Sequence, residues 1–501
     1  AARRGRGLFQ RGESARGEPL VGLLGPEKIE LSGPVAACSR CHTPSGRGSL
    51  EGGVEVPDIR PESLHRARLR AALDVEDRSR PAYDRTTLLR AITEGVSASG
   101  RKLGTTMPRY VLGKAEQEEL LAYLERLGES PDPGLSPTTL TVGAALPLSG
   151  RLGEVGQDVA DVLRAAFAEV NEGGGIFRRR VELVVEDDVA LHAPGSAASG
   201  PDATHRLLER GVLALVGSLR QGPLPSDGLL RREGAPLVLP IALGSGSGDD
   251  DSPIFFLYPE ESEQARLVVQ HLAREDEEHQ VLRRRPLVVV RPEDAEGHAW
   301  ARAAREEALR RELPAPVEIP VVDGAPEPGA LQRLRDTAPA ALLYRGPGSG
   351  LKALLAALPP LEVEAPVYAP ASLAEASVVA GSSHPVLFVY PPGIAGREDH
   401  LRTFSSFLRR HGLRPRHVAF QLNAYAAAQV LLEALRRTGA DVTRADLLLQ
   451  LEELRDFDTG VTPRVTFGVN RRVGVQGAQL VRLNPESGLL EAASPWVPLS
   501  P

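Results

Sequence analysis

The densest chemistry in the sequence lies in five consecutive residues, Cys38-Ser39-Arg40-Cys41-His42. The two thiols stand one helical turn apart and the imidazole follows at once. With that spacing the thiols can add across the two vinyl groups of a haem while the His42 nitrogen reaches the iron from one face. Other chemistries also use paired cysteines. A zinc site needs about four ligands, and no second Cys pair exists, since the chain holds only 2 cysteines. A thioredoxin-like redox pair sits at a helix start after a strand, whereas Val35-Ala36-Ala37 here follows Gly33-Pro34 in a loop-rich stretch. A structural disulfide does not require the histidine. These residues predict one covalently attached haem c, anchored by Cys38 and Cys41, with His42 as an axial iron ligand.

Met107 is the single methionine and lies in Gly104-Thr105-Thr106-Met107-Pro108-Arg109-Tyr110, a loop just before a helical pattern. It is the expected second axial ligand, with His65, on the basic stretch 64–73, as the other donor. A thioether raises the reduction potential relative to a second histidine, and two axial ligands close the iron to substrates. The expected chemistry is therefore electron transfer with a redox partner protein, not catalysis. A peroxidase-like haem enzyme, which needs an open distal position, is the less favoured rival.

A chain of 501 residues exceeds a single core and predicts two or three domains. The run from Gly128 to Pro137, Gly-Glu-Ser-Pro-Asp-Pro-Gly-Leu-Ser-Pro, reads as an extended linker. Before it, amphipathic helices are predicted over 86–94, with Leu88, Leu89 and Ile92 on one side, and over 116–127, with Leu120, Tyr123, Leu124 and Leu127. After it, short apolar runs at 140–145, 181–185, 213–216, 237–239, 287–290, 341–344, 367–369 and 386–389 alternate with helical patterns. That alternation predicts parallel sheets covered by helices on both faces, in two lobes. Hydrophobic residues make up 42% and charged residues 25%, as in ordinary globular proteins. The net charge is −7 and the basic residues are spread among acids, so no nucleic-acid footprint appears. No apolar stretch is expected to approach the roughly 20 residues that cross a bilayer. The opening Ala1-Ala2-Arg3-Arg4, without an initiator Met or an apolar leader, is that expected of a mature exported chain. No Walker loop, dinucleotide fingerprint or Ser-His-Asp arrangement can be pointed to.

Residues 1–128 resemble a class I cytochrome c through Gly7-Leu8-Phe9, Ala36-Ala37-Cys38-Ser39-Arg40-Cys41-His42, Met107-Pro108-Arg109-Tyr110 and Tyr123-Leu124. The resemblance implies a small all-α domain in which Phe9 and Tyr123 pack where the first and last helices cross. An insertion between Phe9 and Cys38 departs from the short members. Residues 139–485 resemble the type I periplasmic solute-binding proteins, particularly the branched-chain amino acid (Leu/Ile/Val-binding) receptors. The matching features are Gly143-Ala144-Ala145-Leu146-Pro147-Leu148-Ser149-Gly150, Ala214-Leu215-Val216-Gly217, Asn423-Ala424-Tyr425 and Thr459-Gly460-Val461-Thr462-Pro463-Arg464-Val465-Thr466-Phe467. This second resemblance implies two α/β lobes joined by crossovers near Tyr258, Tyr390 and Phe457, closing by a hinge around a small solute. Carried over by position, the ligand residues are Ser149 in the first loop, Gln221 after Gly217, Ser245 in the next strand-end loop and Glu296 before Gly297. A glutamine and an acid stand where a hydroxyl and an aromatic are expected, a departure from an α-amino acid site.

The expected organisation is a cytochrome c domain over 1–128, a linker over 129–138 and a binding-protein domain over 139–490, with a C-terminal tail over 491–501. Lobe 1 is expected over about 139–257 and 392–456, and lobe 2 over about 258–391 and 457–490. The function expected is a periplasmic electron-transfer cytochrome fused to a solute-binding module. The alternative is the solute receptor of an ABC-type importer with an accessory haem domain. Its partners would be a redox protein, a small solute, and a membrane transporter or sensor.

Overall fold

The computed structural model describes residues 1–43, 46, 48–51, 54–68, 79–127, 132–188, 202–220, 227–242, 252–276, 280–321, 328–382, 384–394, 397–440, 442–484 and 486–500. The chain divides into two compact units. One comprises Ala1–Thr139 with Leu435–Gln450, the other Leu140–Ala434 with Leu451–Pro501. The stretch 128–131 of the expected linker, and 69–73 of the basic stretch after His65, lie outside the described residues.

In the first unit the helix Ala2–Arg11 crosses the helix Lys114–Leu124 at close range. Gly5 makes the approach feasible, because a Cβ there would stand 1.9 Å from the Glu119 carbonyl oxygen. Beside the crossing, the Phe9 and Tyr123 rings lie 5.3 Å apart between centroids. Leu8, Phe9, Leu88, Ile92, Leu120 and Leu124 form its core. The helix Arg85–Thr93 starts at Asp84, whose carboxylate accepts from the Thr87 N–H at 2.7 Å in a reciprocal cap. Leu435–Gln450 joins this unit through Asp132, which pairs with Arg6 at 2.9 Å and accepts from the Arg444 N–H at 2.6 Å. The expected second share of lobe 1, 392–456, therefore loses 435–450 to the first unit.

The unit is not all-α, which corrects the expected fold class of the N-terminal region. The insertion between Phe9 and Cys38 folds into the antiparallel hairpin Val21–Leu24 with Ile29–Ser32, turning at Gly25 with φ 71°. Arg109–Val111 then pairs antiparallel with Val21–Leu23 to complete a three-stranded sheet.

The second unit holds two large sheets, besides a two-stranded parallel pair of Leu219–Arg220 with Ile241–Ala242. The first runs in the order Ile254–Phe255, Leu237–Val238, Leu215–Val216, Thr139–Leu146, Arg180–Asp187. The second runs Val317–Val321, Leu287–Pro292, Ala341–Tyr344, Val367–Pro370, Val386–Tyr390, Gly477–Leu483, Leu490–Pro498, its first five strands parallel and its last two antiparallel. Val288, Val289 and Val290 are all buried, as expected of a parallel strand covered on both faces. Helices such as Gly153–Glu172 in one lobe and Ala295–Arg310 in the other supply the covers.

The chain passes between the sheets after Phe255, after Tyr390 and before Gly477. The first and last passages run side by side: Phe256 and Val473 bridge in parallel, and the Val475 N–H donates to the Leu257 carbonyl at 2.9 Å. The sequence places the last passage near Phe457, but that residue bridges antiparallel to Val465 and the Phe467 ring lies 5.0 Å from Phe255, so 457–473 stays with the first lobe. The expected tail from 491 is instead the edge strand Leu490–Pro498, and the Ser500 carbonyl beyond it accepts from Arg266 at 3.0 Å and Gln270 at 3.1 Å. One helix among the described residues, Val418–Arg437, is long and apolar enough to cross a membrane, an exception to the expectation of none; its Ala424, Ala428 and Leu431 are fully buried in the protein core.

Asp158, on Gly153–Glu172, ties that helix to the chain ahead of Val418–Arg437. Its carboxylate accepts from Arg416 and lies 2.9 Å from His417 Nδ1. Burial pushes its pKa up, but the Arg416 and His417 contacts outweigh burial and hold it below the ordinary 3.8. A depressed carboxylate contributes stability that is complete above the unfolded-state pKa and lost as pH falls through the folded one. Asp158→Asn is therefore expected to cost about 1.5–3 kcal/mol at neutral pH. It should cost progressively less below pH 3.8, as read by urea unfolding across a pH series.

Candidate functional site

In open α/β sheets, ligands gather at the carboxyl ends of the strands, where loops converge and helix N-termini point. Both large sheets of the second unit present such an edge. In the first lobe Pro147-Leu148-Ser149-Gly150 follows the strand Thr139–Leu146. Asp187 fixes this turn, accepting from the Leu148 N–H at 2.8 Å and the Ser149 hydroxyl at 3.2 Å. Gly156 lets the following helix seat against it, since a Cβ there would lie 1.8 Å from the Pro147 carbonyl oxygen. Gly217, with φ 58°, turns the chain into Ser218, which is buried and accepts from the Ala145 N–H at 3.1 Å. Arg220, also buried, makes two 2.8 Å bonds to the Asp227 carboxylate.

The second lobe places charge at the same edge. Arg345 follows the strand Ala341–Tyr344 and its N–H donates to the Val290 carbonyl at 2.9 Å. Its guanidinium meets Glu296, lies 3.3 Å from Glu261 and 3.9 Å from Asp294. Asp294 also caps the helix Ala295–Arg310, accepting from the Gly297 N–H at 2.6 Å, and the Ser372 hydroxyl donates to Glu261 at 3.2 Å. Three carboxylates around one guanidinium leave surplus negative charge on this edge. Tyr258 and Tyr390 stand at the first two passages; burial raises the pKa of both phenols.

Of the ligand residues expected from sequence, Ser149 and Glu296 therefore lie on strand-end edges, one on each lobe, while Gln221 and Ser245 lie outside the described residues. Sequence reasoning missed Arg345, Asp294 and Glu261. The signal for Arg345 was a basic residue immediately after the apolar run 341–344.

The cysteine motif is in the first unit. A one-turn helix, Ser39–His42, begins after Cys38. The Cys38 thiol packs against the apolar core of its unit and shares a hydrogen bond with Tyr110; burial pushes its pKa up to about 12. Both cysteines are free thiols. His42 is buried with Nδ1 3.0 Å from the Pro57 carbonyl oxygen, and burial lowers its pKa. Met107 is half-buried, and its N–H reaches the Gly104 carbonyl at 3.4 Å. His65 Nδ1 lies 3.2 Å from the Tyr83 carbonyl.

Residues 139–488 match the family described as periplasmic binding protein. The chain belongs to that family. Among curated relatives this periplasmic binding protein is 28% identical over 109 residues to the Leu/Ile/Val-binding protein BraC3 of Rhizobium johnstonii, covering 22% of this chain and 28% of the relative. It is 28% identical over 106 residues to the Leu/Ile/Val-binding protein homolog 3 of Brucella melitensis, covering 21% and 27%. Both matches span little more than a quarter of the relatives' length. Its fold is that of a fatty acid ABC transporter substrate-binding protein from Thermomonospora curvata, with TM-score 0.53, 17% identity, and 73% and 94% of the two chains covered. A branched-chain amino acid ABC transporter protein from Thermus thermophilus with bound valine superposes with TM-score 0.52 at 15% identity, covering 72% and 97%.

Family membership corrects the cofactor expectation. The covalent haem c expected at Cys38 and Cys41, with His42 and Met107 on iron, does not stand: the family is one of solute-binding proteins, and its match begins only at residue 139. Among the described residues no three His, Cys, Asp or Glu side chains are grouped to hold a metal ion. The electron-transfer role and redox partner that rested on that haem lose their support with it.

Thiol titration checks this correction. Denatured protein should show both cysteines reactive, whereas in the native chain Cys38 should react at neutral pH about a hundredfold or more slowly than an exposed thiol, because its thiolate is scarce and the residue is half-buried. Fewer than 2 titratable thiols after denaturation would mean that the sulfurs are bonded elsewhere and would reopen the question.

Proposed function

We propose that the protein is the periplasmic solute receptor of an ABC-type importer, and that it captures a small polar solute bearing a cationic group between its two lobes. The observation that carries the ligand class is the Arg345 cluster. Glu261, Asp294 and Glu296 crowd one guanidinium at the strand-end edge of the second lobe. An ammonium group entering there would share those carboxylates with Arg345 in charge-assisted hydrogen bonds. The opposite edge offers the Ser149 oxygen, whose hydrogen is given to Asp187, and the turn at the start of the helix Gly153–Glu172, groups suited to a neutral polar end of the same molecule. Closure about the side-by-side passages at Phe256 and Val473 would then bury the solute and present a closed form to the membrane transporter.

The names of relatives bracket the ligand without choosing it, since one solved neighbour is titled for fatty acid and another has bound valine. The acid at position 296 separates these options, because an aliphatic carboxylate would meet like charge there.

A thermal-shift and calorimetric panel of amines, amino acids and short fatty acids at matched ionic strength tests the reading. Ammonium-bearing solutes should raise Tm saturably. Glu296→Gln should weaken the best of them about tenfold or more, the worth of one hydrogen bond to a charged group. Binding confined to fatty acids, or unaffected by Glu296→Gln and Arg345→Gln, would contradict it.

A further inference from the structure

Where the chain makes its last passage between the lobes, the segment 456–476 and the edge strand Leu490–Pro498 enclose an open cavity of about 350 Å³. Its lining includes Asp456, Arg464, Arg471, Gln476 and Trp496. Trp496 is 39% exposed, on the edge strand of its sheet. The cavity is separate from the strand-end edges, which carry Ser149, Glu296 and Arg345.

The two guanidiniums of the lining are unequally satisfied. Arg464 donates to the Asp456 carbonyl at 3.2 Å. Arg471 has a buried Nε without a hydrogen-bond partner. Burial, and then the nearby Arg455, lower the Arg471 pKa, and Asp456 only partly offsets them. Arg455 itself is committed to the carbonyls of Glu452, Leu454 and Phe467, so it leaves positive charge behind the wall without filling the space. A buried N–H with no acceptor costs about 1–3 kcal/mol. Guanidiniums gathered at one cavity are relieved by an oxyanion, whose geometry matches their fork of donors.

We propose that this cavity is a second ligand site that binds an oxyanion, a phosphate or carboxylate group, between Arg464 and Arg471. Gln476 supplies a further donor and Trp496 a flat surface for the rest of the ligand. Asp456 opposes the anion and sets a ceiling on its affinity.

The test titrates the full chain with sodium phosphate, and separately with sodium acetate, against sodium chloride at matched ionic strength. Tryptophan fluorescence is a local readout, because the chain has only 2 tryptophans and Trp300 is fully buried. A saturable fluorescence change with a rise in Tm is expected for one or both anions, and the stronger of the two assigns the class. Trp496→Phe should abolish the fluorescence change and keep the Tm rise. Arg471→Gln and Arg464→Gln should each weaken binding about tenfold. Asp456→Asn, which suits the left-handed backbone at φ 46°, should instead tighten it about threefold. If Arg471→Gln fails to fold, Arg464→Gln and Asp456→Asn decide the matter by their opposite signs. A response no greater than that of chloride, or one unchanged in both remaining variants, overturns the proposal.

Discussion

Parallel strands cannot be joined by tight turns; each must be followed by a crossover that returns the chain to the sheet's other end. In residues from Thr139 onward this constraint arranges everything else. It covers both faces of each sheet with helices, so strands such as Leu287–Pro292 are buried on both sides. It also brings the carboxyl ends of the parallel strands of a sheet to one edge, and polar residues that would be costly inside a sheet collect there. Ser149, Ser218 and Arg220 occupy the edge in one lobe, and Glu296 and Arg345 in the other.

The charges on the two edges do different work. Arg220 is buried and bonded twice to Asp227, so removing either partner would strand a charge, and the pair is a fixture of the first lobe. Arg345, by contrast, is shared by Glu261, Asp294 and Glu296, and the last two of these acids are well exposed. Exposed ion pairs contribute only about 0–1 kcal/mol. Asp294 and Glu296 therefore add little stability to Arg345, which is what the proposed cation site requires.

Much of this architecture is legible from hydrophobic patterning alone. The runs at 287–290, 341–344, 367–369 and 386–389 coincide with strands, because a strand covered on both faces reads as a continuous apolar stretch. The hairpin Val21–Leu24 with Ile29–Ser32 is not legible, since its strands are short and partly exposed and carry no clean alternation. The last passage is misplaced by sequence because 457–467 contains a bridge and a turn that resemble the approach to a new lobe, and only the pairing of Phe256 with Val473 reveals where the chain leaves. Ser149 is legible from its glycine-rich turn. Arg345 is not, because its carboxylates come from separate parts of the chain.

The cysteine motif marks the limit of local spacing as a guide. Cys-x-x-Cys-His specifies which atoms are near one another, but not the family that the chain belongs to, and that family corrected the expected haem. In the fold Cys38 behaves as a small, half-buried apolar residue packed against the core of its unit beside Tyr110.

Native mass spectrometry of the full chain, purified without denaturation from cells grown in rich medium, tests most directly whether a cationic solute is held between the lobes. A small-molecule adduct that carries an amine, leaves on denaturation and is missing or much reduced in Glu296→Gln protein is the predicted result. An adduct retained in that variant, or a wild-type spectrum that stays bare even after incubation with a mixture of amines and amino acids, would contradict the account.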